Sequence, residues 1–263
     1  MNNRLLSVDV FRGFTIALMI IVNSPGSWNN TFSPLLHADW NGITLTDFVY
    51  PFFIFIVGVS IVLSKKNKGT TSSKKGIILR SIKIFFLGVF LGAFTESMYH
   101  FMSTGGLPSL SDIRIPGVLQ RIAFVYLTCA IMYDYTNWIQ QLIIMLSILI
   151  LYYACMQFIP VPGIGPGVLE PGKNLAAYID SILIPGSMWE GTWDPEGVLS
   201  TFPAIASGIG GMLAGYVLTT KKTIERKVII LYFAGFICLL DSFIWEWLMP
   251  INKNLWTSTY VMY

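Results

Sequence analysis

His37 is the residue of this chain whose type and setting best suit proton chemistry. It is one of only 2 histidines among 263 residues, and it lies between two apolar stretches in the segment 36–42, LHADWNG. The imidazole of histidine is the side chain that normally titrates near neutral pH, so it suits a general base. The plainer alternative is an ordinary histidine at a membrane surface.

Blocks of residues around His37 and further along the chain form an ordered set. They are 4–13 RLLSVDVFRG, 22–23 VN, 37–44 HADWNGIT, 47–56 DFVYPFFIFI, 114–121 RIPGVLQR, 194–197 DPEG and 250–256 PINKNLW. This set resembles the membrane acetyltransferases typified by heparan-α-glucosaminide N-acetyltransferase, from Arg4 to about Trp256. The resemblance implies an enzyme that moves an acetyl group from cytoplasmic acetyl-CoA to an amino sugar or other saccharide on the far side of a membrane.

Composition predicts an all-α, polytopic transmembrane bundle. Hydrophobic residues make up 54% of the chain and charged residues 12%, against about 25% charged in soluble domains. Seven complete apolar spans are predicted at Val8–Val22, Leu45–Leu63, Ile77–Phe94, Gly117–Tyr133, Trp138–Phe158, Leu199–Leu218 and Val228–Met249. An eighth begins near Leu255 and stops at Tyr263. We therefore expect one domain over 1–263, incomplete at its C-terminus.

The charges of the connecting loops alternate along the chain. Arg4 precedes the first span, and Lys and Arg cluster in 65–75 and in 221–227, whereas the loops 24–44, 97–116 and 159–198 hold acids such as Asp39, Asp112 and Glu190. The positive-inside rule then places the N-terminus in the cytoplasm and His37 outside. A bacterial inner membrane is the expected location. The loop 65–75 is interpreted as a solvated linker, 159–198 as an ordered lid, and Leu175–Leu183 as a short interfacial helix.

The resemblance assigns roles to residues at both ends of the first helix. His37 would act as the base or carry the acetyl group itself, and Asn23 would stabilise the thioester oxyanion. Arg12 would hold cofactor phosphates, with Asp9 on the same helical face. The plainer alternatives are a helix C-cap for Asn23 and a structural ion pair for Asp9 and Arg12.

A second group of polar and aromatic residues is assigned to substrate binding. Charged groups at membrane depth usually face the interior of a bundle, and we expect Arg121 to pair with Asp47 or Glu96. Tryptophans can stack on a sugar, and carboxylates can bind its hydroxyls or ammonium. The alternatives are an interfacial aromatic belt for the tryptophans, a turn before a helix for Asp194, and structural ion pairs for the charged groups at membrane depth. The assigned residues are Trp40, Asn41, Asp47, Arg114, Arg121, Asp194 and Glu196, with Trp189 and Trp193 as further stacking candidates.

Several classes of protein are disfavoured. The three cysteines lie on three predicted helices and form no CxxC pair, and the sequence has no histidine cluster, so we expect no metal. The sequence has no P-loop, so an ATP-driven pump is not expected. The net charge of +3 gives no reason to propose nucleic acid. The small-residue run 204–215 is interpreted as a packing surface, and the alternative is that it lets a cofactor arm pass between helices. The rival functions are a small-solute transporter, which would suit Arg121 and Asp241, and a non-catalytic scaffold. A homodimer is one possible assembly, and the sequence does not decide the oligomeric state.

Overall fold

The computed structural model describes residues 5–68, 73–106, 108–109, 111–189 and 191–263. Arg4, which begins the resemblance, lies outside the described residues. So do Glu190 and the centre of the predicted linker, 69–72.

Nine α-helices make up almost all the regular structure in the described part of the chain. They are α1 (Leu6–Asn23), α2 (Val49–Lys68), α3 (Lys74–Thr104), α4 (Val118–Tyr135), α5 (Trp138–Phe158), α6 (Leu175–Leu183), α7 (Thr201–Leu218), α8 (Ile224–Trp245) and α9 (Ser258–Met262). Three 3-10 turns, Trp28–Asn30, Ser33–Leu35 and Leu45–Phe48, lie between α1 and α2. The all-α prediction is confirmed.

Six of these helices are long and apolar enough to cross a membrane. They are α1, α2 with the turn before it, α3, α5, α7 and α8. The predicted span Gly117–Tyr133 corresponds to α4, which has 18 residues but carries Gln120, Arg121 and Asp134 and does not qualify. The seventh span therefore stays a prediction, as does the cytoplasmic N-terminus.

Several predicted boundaries were wrong, and α8 runs over Ile224–Trp245 instead of the predicted Val228–Met249. Helix α3 does not end at Phe94 but continues to Thr104, where Gly105 adopts a left-handed conformation with φ 75° and ends the helix. The predicted linker 65–75 is helical at both ends, because α2 runs to Lys68 and α3 begins at Lys74. At its α2 end Lys65 pairs with Asp134, so this lysine is tied to the bundle.

Helices α2 and α7 pack backbone against backbone at the centre of the bundle. A Cβ atom added at Gly58 would lie 2.0 Å from the carbonyl oxygen of Gly208, and one at Gly211 would lie 2.1 Å from that of Phe55. Only glycine allows this approach, so the small-residue run of α7 is a packing surface, as the sequence predicted.

The outer faces of several helices are apolar and exposed. Phe86, Phe90 and Phe94 project from α3, and Tyr232 and Phe233 project from α8. A face of this extent is stable against lipid rather than water, which agrees with a multi-pass membrane protein.

The segment after α8 folds back into the bundle. Helix α9 has five residues, four of which are buried, and the predicted eighth span near Leu255 stays a prediction. Trp256 is 1% exposed and has φ 51°, a conformation that costs a bulky residue about 1–3 kcal/mol. Its indole Nε1 donates to Ser207 Oγ at 3.1 Å, and Tyr260 donates its hydroxyl to the backbone oxygen of Asp47 at 2.5 Å. These contacts hold the C-terminal segment against α2 and α7.

Candidate functional site

His37, Asp47 and Lys253 form a compact polar triangle at one end of the bundle, called here the His37 end. The Nδ1 atom of His37 lies 2.7 Å from Asp47 Oδ1 and 2.8 Å from Lys253 Nζ. Lys253 Nζ is also 3.2 Å from Asp47 Oδ1. The imidazole is half exposed, and no described residue hydrogen-bonds to its Nε2. That nitrogen is therefore free to meet a ligand.

Asp47 is fixed by the turn that begins α2. Its Oδ2 accepts from the backbone N–H groups of Ala38 and Thr44 at 3.1 and 3.0 Å and from the Thr44 hydroxyl at 3.0 Å. Thr44 and Asp47 form a capping box around Leu45–Phe48. The carboxylate is buried and saturated with partners, so it holds the imidazole in one place.

Lys253 reaches His37 because the loop 250–256 is docked on the histidine segment. Gly42 donates its backbone N–H to Ile251 O at 2.8 Å, and Asn252 Nδ2 donates to Asn41 Oδ1 at 3.1 Å. Gly42 has φ 99°, a conformation that favours glycine. Asn41 therefore joins two loops and is not among the residues lining the cavity described next.

A cavity of about 470 Å³, called here the outer cavity, opens beside the triangle. His37, Asn23 and Lys253 line it together with Arg114, Glu196, Trp189 and Trp193. Asn23 is the last residue of α1, and its Nδ2 donates to Met19 O at 3.0 Å, the kind of contact expected of a residue that completes a helix end. Its amide has a second N–H, so a role toward a ligand in the cavity is still open to it.

Arg114 organises the opposite wall of the outer cavity. Its Nε and Nη2 bind Asp194 Oδ2 and Oδ1, both at 2.6 Å, and Nη2 also binds Glu196. These carboxylates raise the pKa of Arg114 above its ordinary value despite the opposing effect of its burial. The guanidinium lies 5.1 Å from the centre of the Trp189 ring. The Asp194 side chain is 0% exposed, so Asp194 holds Arg114 while Glu196 faces the cavity.

Trp40 and Arg121 were predicted to bind substrate, but neither lines the outer cavity. Trp40 donates Nε1 to Leu169 O at 2.9 Å and packs edge-on against Trp193 at 4.9 Å, so it supports a cavity wall. Arg121 does not pair with Asp47 or Glu96 in the described structure, which makes that prediction wrong. Its Nη2 donates to Ser200 Oγ at 2.5 Å and Gly197 O at 3.3 Å, and the guanidinium lies 5.1 Å from the Trp256 ring. The carboxylate of Asp47 is already occupied by His37, Lys253 and Thr44.

A second cavity of about 340 Å³, called here the inner cavity, lies between α1, α2, α3 and α4. Three cationic residues line it, namely Arg12, Lys65 and Arg80. Arg12 Nη2 donates to Ser60 Oγ at 2.8 Å, while its Nη1 is 3.7 Å from Asp9 Oδ1. Asp9 lies outside the cavity lining and can only orient Arg12. Phe53 lines both cavities and therefore forms part of the wall between them.

The sequence singled out Lys253 as a lone lysine in an outer loop, which hinted at a specific role without naming one. Three other lining residues were missed, namely Lys65, Arg80 and Phe53. Lys65 was assigned to the solvated linker, Arg80 lies within an apolar helix, and Phe53 is one of three phenylalanines in α2. No local pattern separates them from ordinary membrane residues. No group of three His, Cys, Asp or Glu side chains within the described ranges could hold a metal ion.

The comparison with protein families places these residues in a known context. Residues 4–169 match the family described as heparan-alpha-glucosaminide N-acetyltransferase, catalytic. That range includes His37, Asn23, Arg12 and Arg114. The chain belongs to this family.

Two curated relatives extend the similarity over nearly the whole chain. Heparan-alpha-glucosaminide N-acetyltransferase of Mus musculus is 32% identical over 317 residues, which cover 98% of this chain and 47% of the relative. The protein of the same name from Homo sapiens is 31% identical over 312 residues, which cover 98% of this chain and 46% of the relative. The chain thus spans about half the length of these two members of the heparan-alpha-glucosaminide N-acetyltransferase family.

Proposed function

We propose that this protein transfers an acetyl group from acetyl-CoA at the inner cavity to an amino sugar or other saccharide at the outer cavity. The observation that carries the proposal is the His37–Asp47 contact of 2.7 Å beside a cavity that the free edge of the imidazole can reach. Membership of an N-acetyltransferase family supports the same reaction.

Asp47 prepares His37 for proton transfer. When Nδ1–H donates to the carboxylate, the lone pair of the ring lies on Nε2. Nε2 then takes a proton from the acceptor amine as its nitrogen attacks the acetyl carbonyl. The C–N bond forms, the C–S bond breaks, and the departing thiolate receives the proton from the imidazolium. An acetyl-imidazole relay uses the same Nε2 lone pair as the nucleophile, and an O-linked product follows from a hydroxyl acceptor.

Asn23 is suited to the charge that develops on the carbonyl oxygen. Its amide lines the same cavity as His37 and keeps one N–H beyond the contact with Met19. A fixed donor directed at a developing oxyanion stabilises the transition state more than the ground state.

The inner cavity suits the anionic part of the donor. Arg12, Lys65 and Arg80 supply positive charge, and guanidinium groups bind phosphate oxygens in pairs. Phe53 then separates this cationic compartment from the site of transfer, so the acetylated arm must pass that ring. With a cytoplasmic N-terminus in a bacterial inner membrane, the donor would arrive from the cytoplasm.

The outer cavity suits a saccharide acceptor. Trp189 and Trp193 offer ring faces or edges, and Glu196 and Arg114 offer charged hydrogen-bonding groups. Asp194 contributes by holding Arg114, while Asn41, Trp40 and Arg121 support the surrounding loops. The structure thus supports direct substrate contact for Arg114 and Glu196 more strongly than for these supporting residues.

The deciding experiment measures acetyl transfer from radiolabelled acetyl-CoA to a panel of amino sugars by the purified chain in lipid nanodiscs. His37→Ala is compared with His100→Ala, which removes the other histidine from a site outside both cavities. Transfer by the parent and by His100→Ala, with none by His37→Ala, is the expected result. Transfer that survives in His37→Ala would refute the assigned base.

A transporter is the second candidate, because two cavities that share the lining residue Phe53 also suit a solute path. It predicts uptake of a small solute into sealed vesicles with no need for acetyl-CoA. Transfer of label to the sugar without uptake supports the enzyme, whereas sugar uptake without covalent label supports the transporter.

A further inference from the structure

The Nδ1 atom of His37 faces two partners that require opposite hydrogen positions. Lys253 is an ammonium and can only donate, so its 2.8 Å contact needs a lone pair on Nδ1. Asp47 is a carboxylate and can only accept, so its 2.7 Å contact needs a hydrogen on Nδ1. One nitrogen of a neutral imidazole cannot satisfy both requirements at once.

The triangle therefore has two arrangements. In the first, Lys253 donates to Nδ1 and to Asp47 Oδ1, and the ring carries its hydrogen on Nε2. In the second, Lys253 donates to Asp47 alone, Nδ1–H donates to the carboxylate, and Nε2 has the lone pair. Both keep Lys253 within 3.2 Å of the carboxylate, so a small rotation of the lysine side chain connects them.

We propose that Lys253 is a positioning residue that selects the tautomer of His37 and must turn from the ring to Asp47 before Nε2 can accept a proton. This consequence for catalysis rests on the proposed function, whereas the tautomer is a property of the protein alone. In the exchange, water in the outer cavity takes the proton from Nε2 and returns one to Nδ1. No proton is gained or lost overall.

Lys253 is not needed to dock its own loop. The contacts of Ile251 with Gly42 and of Asn252 with Asn41 hold the loop 250–256 in place, and the buried Trp256 anchors its end. Replacing Lys253 with methionine therefore removes the donor and leaves the docking contacts. This separates selection of the tautomer from folding.

The test uses the small number of histidines in the chain. In a His100→Gln background, ¹⁵N-labelled histidine gives NMR signals from His37 alone, in nanodiscs without donor or acceptor. The Nε2–H tautomer is expected to dominate in this parent. Lys253→Met should raise the ratio of Nδ1–H to Nε2–H by about tenfold, the effect of losing a hydrogen bond from a charged donor. Lys253→Arg, which keeps a donor, should restore a ratio close to that of the parent.

The matched control is Lys173→Met, which removes an exposed lysine that pairs with Glu170 near α6. Its ratio should equal that of the parent. An unchanged ratio in folded Lys253→Met would overturn the proposal. If that variant does not fold, the parent decides, because a dominant Nδ1–H tautomer beside an intact Lys253 would also overturn it.

The transfer assay gives an independent readout. Lys253→Met should raise kcat, because more of the protein then has the lone pair on His37 Nε2, and it should leave KM for acetyl-CoA unchanged, since the inner cavity is intact. A change in KM with unchanged kcat would contradict a role exerted through His37. If the parent shows no transfer, the proposed function is refuted. The tautomer ratio measured by NMR then remains the test of the role of Lys253.

Discussion

The inner and outer cavities are built in different ways. The inner cavity is enclosed by four successive helices, α1 to α4, and its cations are side chains of those helices. The outer cavity is built from residues of α1, α2 and α4 and from loops around residues 37, 114, 193 and 253. A cavity among neighbouring helices depends on the packing of the bundle. A cavity closed by distant loops depends on a few specific polar contacts.

Under the proposed function, this difference suits the two regions to separate tasks. Apolar helix faces and long basic side chains can hold a flexible anionic donor without fixing every atom. Acetyl transfer needs a base and its partner held within a few tenths of an ångström, and the buried carboxylates Asp47 and Asp194 fix their partners in the outer cavity. We therefore expect substitutions at the outer cavity to have the larger effects.

The largest effect is expected for Asp47→Asn. The amide cannot stabilise the imidazolium that forms when His37 takes a proton, so transfer should fall on the order of 10³-fold, within the range of general base catalysis. Steady-state transfer at saturating acetyl-CoA measures this loss. Asp112→Asn is the control, because Asp112 is an exposed acid on the same end whose carboxylate binds Ser109. Comparable rates for the two variants would show that the carboxylate beside His37 has no special role.

Arg114→Met is expected to destabilise the outer cavity without affecting the inner one. It leaves the fully buried Asp194 without its cation, and removing one partner of a buried ion pair costs about 3–5 kcal/mol. SDS titration in mixed micelles measures the free energy of unfolding. Lys173→Met breaks an exposed pair at the same end and should cause no resolvable change. A stable Arg114→Met protein would mean that the loops of the outer cavity do not depend on this ion pair.

The sequence predicted the elements that carry strong local signals. The bounds of α5 and α6 matched the prediction, since Asn137 begins α5 with a capping box and Asn174 accepts the Ala177 N–H at the start of α6. Helix α3 was predicted too short because its pattern becomes polar after Phe94, although the helix continues until Gly105 allows it to stop. Apolar patterns therefore recover the membrane part of a helix and miss an extension through polar residues such as those after Phe94.

The site was only half predictable for a related reason. His37, Asn23 and Glu196 belong to motifs, and the structure brings all three to one cavity. The contact between His37 and Lys253 joins residues 216 positions apart, and that between Arg114 and Asp194 joins residues 80 apart. Such pairings follow from the folding of whole loops. Asp47, Glu96 and Asp194 are all carboxylates, so residue type did not show that Asp194 pairs with Arg114 or that Arg121 binds Ser200 instead.

A third prediction concerns Asp180, which lies beneath the loop that carries Asp194. Burial raises the pKa of Asp180 to about 6, although its Oδ1 accepts the Val198 N–H at 2.7 Å. The folded protein therefore binds the proton more tightly than the unfolded chain. Its contribution to stability is complete below pH ~4 and is lost as the pH rises through about 6.

Asp180→Asn removes this titration and keeps an oxygen that can accept from Val198. The free energy of unfolding of the parent, taken relative to the variant, should fall by about 2 kcal/mol between pH ~4 and ~7. SDS titrations across this range measure the difference. Asp112→Asn is the control, because hydrogen bonds from Ser109 lower the pKa of Asp112. The difference in free energy of unfolding between the parent and this variant should therefore not fall over the same pH interval. If the difference in free energy of unfolding between the parent and Asp180→Asn does not change with pH, the titration of Asp180 does not affect stability.

The wall between the cavities can be tested with Phe53→Trp. The larger ring should narrow the passage and lower transfer by about tenfold, the rate equivalent of about 1.4 kcal/mol of added strain. Binding of acetyl-CoA, measured by calorimetry, should change much less. Phe52→Trp is the control, because Phe52 is outside both cavity linings and packs on Phe11 and Phe48. Equal transfer by Phe53→Trp and the parent would show that the acetyl group does not pass this ring.

The smallest effect is expected for Arg80→Gln in the inner cavity. Arg80 is one of three cations lining that cavity and lies 5.7 Å from the Tyr126 ring, so Arg12 and Lys65 can still neutralise a phosphate when it is removed. KM for acetyl-CoA should rise by about fivefold to tenfold with kcat nearly unchanged, as expected when one of several charged hydrogen bonds is lost. Arg226→Gln, an exposed residue near the start of α8 and outside the cavity lining, should leave KM as it is. A fall in kcat at constant KM would contradict this assignment, because it would mean that Arg80 acts in acetyl transfer at His37 and not in binding of the donor.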